Sequence, residues 1–198
     1  MLQVDGLTVI GLTPVSFEVE KGECVTVAGP SGSGKTLLLR AVADLDPAAG
    51  TVTLDGTERN GMTAPCWRSL VTYVPAVSGW WRATVSQNFA DWENVGPMIE
   101  ALRLPPECGA WPVSRLSTGE QQRLALTRSM CRSPRVLLLD EPTSALDAPD
   151  TETVERTIEE FCSSGGGVIW VSHDAEQRQR VSGRTLIIVG GTLREQSA

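Results

Sequence analysis

Paired or clustered cysteines are missing from this chain. Its five cysteines, Cys24, Cys66, Cys108, Cys131 and Cys162, are odd in number and scattered, with no CxxC and no Cys/His group. That excludes a disulfide framework and a zinc site, and a reducing cytoplasm is the expected setting. Long apolar runs are missing too. Val136–Leu139 and Leu186–Val189 are strand-sized, far short of the roughly 20 residues of a membrane helix. A role in a membrane process would need other chains to cross the bilayer. After Met1-Leu2-Gln3-Val4-Asp5 there is no basic stretch leading into an apolar one, so no secretory signal is expected. Positive charge is in deficit, with 17 Lys+Arg against 24 Asp+Glu and a net charge of −7. Such a surface has no general attraction for phosphate backbones, and no nucleic-acid partner is expected. No repeat or low-complexity tract occurs. Six tryptophans beside a single tyrosine are the one aromatic excess.

The 198 residues suffice for one domain with a sizeable core. Short β-branched and Leu-rich runs predict strands at Leu2–Val9, Val15–Val19, Cys24–Ala28, Thr51–Leu54, Val71–Val74, Val136–Asp140, Val168–Ser172 and Leu186–Val189. The early ones are closely spaced, as in an antiparallel subdomain. The later ones alternate with helical stretches, as in a parallel sheet covered on both faces. Helices are predicted over Gly34–Ala43, Glu120–Cys131 and Thr151–Cys162, the last with Val154, Ile158 and Phe161 on one face and Asp150 as its N-cap. Residues 77–115 differ. They hold Trp80, Trp81, Trp92, Trp111, several prolines and one weakly helical piece at Val95–Leu104, and read as a reduced helical lobe set between core segments 1–76 and 116–198.

Between the third predicted strand and the first predicted helix lies Gly29-Pro30-Ser31-Gly32-Ser33-Gly34-Lys35-Thr36, which fits the P-loop pattern GxxxxGK[ST]. Glycines let backbone N–H groups line a concave anion site, and the helix N-terminus adds partial positive charge. Lys35 can reach the β- and γ-phosphates of ATP, and the Thr36 hydroxyl can ligate Mg²⁺. A plain Gly-rich turn would not require Lys-Thr at its end. Farther on, an apolar strand ends in Asp140-Glu141. Asp140 can hold Mg²⁺ through water, and Glu141 is then placed to polarise the attacking water.

Leu116-Ser117-Thr118-Gly119-Glu120, followed by Gln121-Gln122-Arg123, selects among P-loop classes. Locally it is a capping box, Ser117 at N-cap and Glu120 three residues on. Taken with the order of motifs, the sequence resembles the ABC (ATP-binding cassette) ATPase family, whose LSGGQ signature sits here. The resemblance covers almost the whole chain. It implies a P-loop NTPase core with a mostly parallel sheet flanked by helices, an N-terminal antiparallel β subdomain and a short helical signature lobe. It also implies that Ser117 and Gly119 face the γ-phosphate held by a second copy, so that ATP is sandwiched in a homodimer. Ser144-Ala145-Leu146-Asp147 is similar to the D-loop, with Asp147 at the interface. The strand Val168–Ser172 runs into His173, the only histidine, which is similar to the switch histidine that contacts the γ-phosphate.

Three departures stand out. The family ends the strand at Val71–Val74 with a glutamine that touches Mg²⁺ and water and couples to the membrane partner. Here that position is Ala76, and slower turnover is expected, with Ala76→Gln raising it. The adenine-stacking aromatic is missing from Thr8-Val9-Ile10-Gly11, leaving Ile10 or Val15 as the platform. The lobe is short, and Trp80 and Trp81 either dock a helix of a membrane subunit or fill the lobe.

The resemblance implies an ATPase subunit powering a transporter, paired with separate transmembrane permease subunits and peripheral on the cytoplasmic face of the membrane. It is similar to small bacterial cassettes paired with metal-export-type permeases. The alternative is a soluble ABC ATPase acting on nucleic acid or ribosome, but the coiled-coil insertions, zinc modules and second cassette usual there are missing. A small-molecule kinase would leave Leu116–Glu120 unexplained. The residues expected to carry the chemistry are Lys35, Glu141 and His173, with Thr36 and Asp140 at the metal.

Overall fold

The computed structural model describes residues 1–197. In chain order its elements are β1 (Leu2–Leu7), β2 (Val15–Val19), β3 (Cys24–Ala28), α1 (Lys35–Val42), β4 (Thr51–Leu54) and β5 (Thr57–Glu58). Then come α2 (Ala64–Leu70), β6 (Val71–Val74), α3 (Gly96–Ala101) and α4 (Thr118–Met130). The chain ends through β7 (Val136–Asp140), α5 (Ala148–Ser163), β8 (Gly167–Val171), α6 (Ala175–Val181), β9 (Arg184–Val189) and β10 (Thr192–Ser197).

Apolar and polar residues alternate along β1. Leu2, Val4 and Leu7 are buried while Gln3 and Asp5 face water, the pattern of a sheet with one wet face. It pairs antiparallel with β2 and β4 in a sheet ordered β2-β1-β4-β5. The larger sheet runs β10-β9-β3-β8-β7-β6. All its pairings are parallel except β10 with β9.

Strand β7 is buried at all five positions, and its side chains alternate between two cores. Val136 and Leu138 join the core under the antiparallel sheet and α1. Leu137 and Leu139 join the core formed with α4, α5 and the lobe. Full burial of a leucine contributes about 1.5–3 kcal/mol, so three of them hold the strand that delivers Asp140 firmly in register. Residues 77–115 carry α3 and the 3-10 turns Ser86–Asn88, Pro106–Ala110 and Val113–Arg115. Val85, Val95, Ile99, Leu102 and Leu104 tuck them into the second core.

The structure corrects several boundaries. β1 stops at Leu7 rather than Val9, because the Thr8 N–H turns away to donate to Ala49 O at 2.9 Å. α5 begins at Ala148, not Thr151. Its cap is Asp147, whose carboxylate accepts from the Asp150 N–H at 3.0 Å. Asp150 lies inside the first turn and pairs with Arg123 at 3.0 Å. Pro149 is tolerated there because early helical N–H groups have no intrahelical acceptor. The sequence reading did not anticipate β5, β10, α2 and α6.

Candidate nucleotide site

The loop between β3 and α1 demands glycine by geometry. Gly29 has φ +150°, and a Cβ there would lie 2.6 Å from Ile188 O and 2.8 Å from Ser33 Oγ. Gly34, the N-cap of α1, is left-handed and offers no side-chain acceptor. The first-turn N–H groups of α1 thus remain available to an anion. Lys35 is 6% exposed and donates from Nζ to Gly29 O at 2.9 Å and Pro30 O at 3.0 Å. The ammonium has a third proton to give. Ser33 Oγ is buried without a partner. A buried hydroxyl left unpaired in an anion cradle fits a phosphate oxygen as its complement.

At the C-terminal end of β7 the Asp140 carboxylate meets this loop. Thr36 Oγ1 donates to Asp140 Oδ2 at 2.8 Å, and the Tyr73 hydroxyl of β6 donates to the same oxygen at 3.0 Å. Burial, then the adjacent Asp140 charge, push the Tyr73 phenol well above its ordinary range, so it acts only as a donor. Among the described residues no group of three or more His, Cys, Asp or Glu side chains could hold a metal. The hydroxyl–carboxylate pair instead suits a hard cation that takes its other ligands from phosphate and water.

Glu141 follows at φ +50°, left-handed for a non-glycine residue, with its N–H donating to Val171 O at 3.1 Å. That conformation costs roughly 1–2 kcal/mol. The two all-buried strands β7 and β8 over-determine it, as is common where function needs a particular side-chain direction. Beyond the end of β8, His173 Nε2 lies 2.9 Å from Glu141 Oε1. A cleft of about 610 Å³ opens beside the pair, lined in part by Ser144, Leu146, Ser172 and Gln177. Gln177, 3% exposed, accepts from the Ser172 hydroxyl at 2.8 Å and donates to Thr143 Oγ1 at 3.1 Å. It thereby ties the histidine-bearing strand end to the segment after Glu141.

The structure brings Lys35, Thr36, Asp140, Glu141 and His173 to one end of the parallel sheet. Ser117 and Gly119 stand apart. No hydrogen bond among the described residues joins them to residues 29–36. Ser117 caps α4 reciprocally with Glu120: the Glu120 N–H donates to Ser117 Oγ at 3.2 Å, and the Ser117 N–H and hydroxyl each donate to Glu120 Oε2 at 2.8 Å. A Cβ at Gly119 would lie 3.0 Å from Ala145 O and 3.1 Å from Leu146 Cδ2, so the signature turn is packed tightly on the loop that ends in Asp147.

Of the two adenine platforms expected, Val15 is 2% exposed and sealed in the core. Its side chain cannot meet a ligand, which is a correction. Ile10 is 87% exposed. The tryptophan pair divides. Trp80 is half-buried against the second core, whereas Trp81 is 64% exposed. The Arg128 guanidinium lies 4.6 Å from the Trp80 ring centre and 4.5 Å from that of Trp81. Tyr73, Gln122 and Gln177 were missed by sequence reasoning. Two signals were available: Gln122 stands in the signature run, where it was given no role, and Tyr73 is the chain's single tyrosine.

Residues 12–144 match the family model described as ABC transporter. Protein STAR1 of Oryza sativa subsp. japonica is 36% identical over 200 residues, covering 93% of this chain and 57% of that protein. The phosphate import ATP-binding protein PstB 2 of Natronomonas pharaonis is 34% identical over 215 residues, covering 96% of this chain and 75% of that protein. The first of these relatives thus extends well beyond the stretch this chain matches. A solved dimeric ATP-binding cassette bound to ADP and phosphate superposes with a TM-score of 0.88 at 22% identity, over 100% of this chain and 98% of that one. That likeness bears on the fold, which is the P-loop cassette fold with its antiparallel N-terminal sheet. On a family match over two thirds of its length and relatives of this identity, the chain belongs to the ABC transporter family of ATP-binding cassettes.

Proposed function

We propose that this chain is the ATP-binding and ATP-hydrolysing subunit of an ABC transporter, working as a homodimer on separate permease subunits. The carrying observation is the convergence of two contacts at one sheet end, Thr36 with Asp140 at 2.8 Å and His173 with Glu141 at 2.9 Å, beside a buried lysine in a glycine cradle.

In this reading the α1 N-terminus, Lys35 and the residues from Gly29 through Pro30, Ser31, Gly32 and Ser33 to Gly34 bind the triphosphate. Thr36 and Asp140 hold Mg²⁺, which when bound supplies positive charge that offsets the charge developing on the phosphates. Tyr73 keeps the Asp140 carboxylate turned toward Thr36. Glu141 takes the proton of a water as its oxygen bonds to the γ-phosphorus and the bond to the β–γ bridging oxygen breaks, giving ADP and phosphate. His173 holds Glu141 in place and offers its ring to the γ-phosphate. The Ser117 hydroxyl, Gly119 and Asp147 serve the site of the other copy. For Ser117 this requires the 2.8 Å bond to Glu120 to be exchanged for one to phosphate. The base rests on exposed Ile10 rather than on an aromatic ring.

The exposed Trp81 and Val77, 64% and 86% exposed, give a permease helix an apolar surface beside the loop at Ala76. Among the described residues no helix is long and apolar enough to cross a membrane. A place on the cytoplasmic face is thus reached through the permease.

Glu141→Gln tests the reading. It is expected to keep ATP affinity within about threefold, lose turnover by at least about 100-fold, and accumulate an ATP-bound dimer in sedimentation velocity. Hydrolysis at the wild-type rate, or a monomer at saturating Mg·ATP, would overturn it.

A further inference from the structure

Residue 76 has no side-chain donor, yet the backbone there is not isolated from the catalytic turn. Gln122, in the second turn of α4, is 5% exposed and lies between three loops. Its Nε2 donates to Ser144 Oγ at 3.0 Å, to Ala76 O at 3.2 Å and to Glu141 O at 3.4 Å. Its Oε1 accepts from the Ala145 N–H at 3.2 Å. Because that N–H can only donate, the orientation of the carboxamide is settled by its surroundings.

We infer that Gln122 is a positioning residue that links the tryptophan-bearing loop to the general base, the link that a side chain at position 76 does not provide. The inference rests on the reading of Glu141 as the base. Nε2 has two protons for three acceptors, and the contact with Glu141 O is the longest of the three. A shift of the loop at Ala76 therefore changes how that amide is shared with Ser144 and Glu141. Val77, the residue after Ala76, and Trp81, five residues on, are the exposed apolar residues of this region. Glu141 stands at φ +50°, a conformation kept only by its surroundings, and its carbonyl is held jointly by Gln122 Nε2 at 3.4 Å and the Ser144 N–H at 3.2 Å, so losing one of the two donors is felt at this turn. Because Gln122 reads the carbonyl of residue 76 and not its side chain, alanine there is compatible with a working link.

The test uses the full chain as wild type, Gln122→Met, Gln122→Glu and Glu141→Gln, with Trp81→Phe added to wild type and to each Gln122 variant for the fluorescence difference. Gln122→Met keeps the volume and removes the donor, and Gln122→Glu turns an acceptor onto three acceptors. Turnover, KM and Kd for ATP are measured. So is the Trp81 part of the emission change on ATP binding, taken as the difference from Trp81→Phe. Gln122→Met is expected to lose about tenfold in kcat, with KM and Kd within twofold and the Trp81 response abolished. Gln122→Glu is expected to fall further. Wild-type kcat in Gln122→Met, a kcat loss matched by weaker ATP binding, or an undiminished Trp81 response would each overturn the inference. Glu141→Gln separates the two readings. Lost turnover there with full turnover in Gln122→Met sinks the link alone, and full turnover in both sinks the base as well.

Discussion

At the scale of single residues, Asp140 is held by two hydroxyls on one oxygen, and the sequence pointed to only one of them, Thr36, as a neighbour of Asp140 at this site. Thr36 belongs to the phosphate loop, whereas Tyr73 comes from the neighbouring strand β6, in register with Leu138. A hydrogen bond to a charged group contributes about 1.5–3 kcal/mol, and the half-buried position of Tyr73 favours the lower end. Tyr73→Phe is expected to lower Tm by a few degrees and to raise the Mg²⁺ concentration for half-maximal hydrolysis severalfold, while KM for ATP at saturating Mg²⁺ stays put. Calorimetry and a Mg²⁺ titration of the rate would check this, and an unchanged Mg²⁺ midpoint would dismiss Tyr73 from the proposed metal site. The residues with a local signature, Lys35, Thr36, Asp140 and Glu141, were legible in the sequence because the loop and strand that carry them are contiguous. Gln122, Gln177 and Tyr73 were not, since no local pattern assigns them a role and their contacts with Ala76, Thr143 and Asp140 arise only in the fold.

At the scale of elements, the N-terminus of α4 carries its own negative charge. Glu120 closes the capping box, so the carboxylate lies at the helix end proposed to face a γ-phosphate. Glu120→Gln can keep the reciprocal cap through its side-chain oxygen while removing the charge. The expected result is tighter ATP-driven dimerisation at low salt, by roughly three- to tenfold, with the gain shrinking as salt screens it. Sedimentation equilibrium in the Glu141→Gln background at two salt concentrations reads the difference. Equal dimer constants would count against a phosphate opposite this helix. The cap itself was visible from Ser117 and Glu120. The start of α5 was not. Asp147 and Asp150 are both competent caps, and the choice falls to Asp147 because Asp150 pairs with Arg123. α2 and α6 escaped for a different reason. Seven residues are too few to show a period, and α6 has little but polar side chains. β10 is polar along most of its length and owes its pairing to β9.

At the scale of the molecule, the two cores predict which thiols can be reached. Cys108 and Cys162 are buried in the second core, and burial pushes both thiols up to about 11. Desolvation raises Cys24 further still, with Cys162 and Glu23 adding to it. Cys66 and Cys131 are exposed. Under native conditions iodoacetamide is expected to modify Cys66 first and Cys131 next, and to reach the other three only after unfolding, as peptide mass spectrometry would show. Rapid native labelling of Cys108 would mean that the lobe opens readily. The parallel sheet was legible at this scale because its strands are continuous apolar runs. Residues 77–115 stood out only as a departure, since their short turns follow no period.

The segment from Thr8 to Pro14 leaves the antiparallel sheet yet is tethered to the far edge of the parallel one, where the Thr13 N–H donates to Gly191 O at 2.8 Å, while Leu12 leans on Gly34. A base resting on Ile10 would therefore straddle a seam. Nucleotide would rivet the two sheets together there, and protease nicking between residues 8 and 14 would report its occupancy.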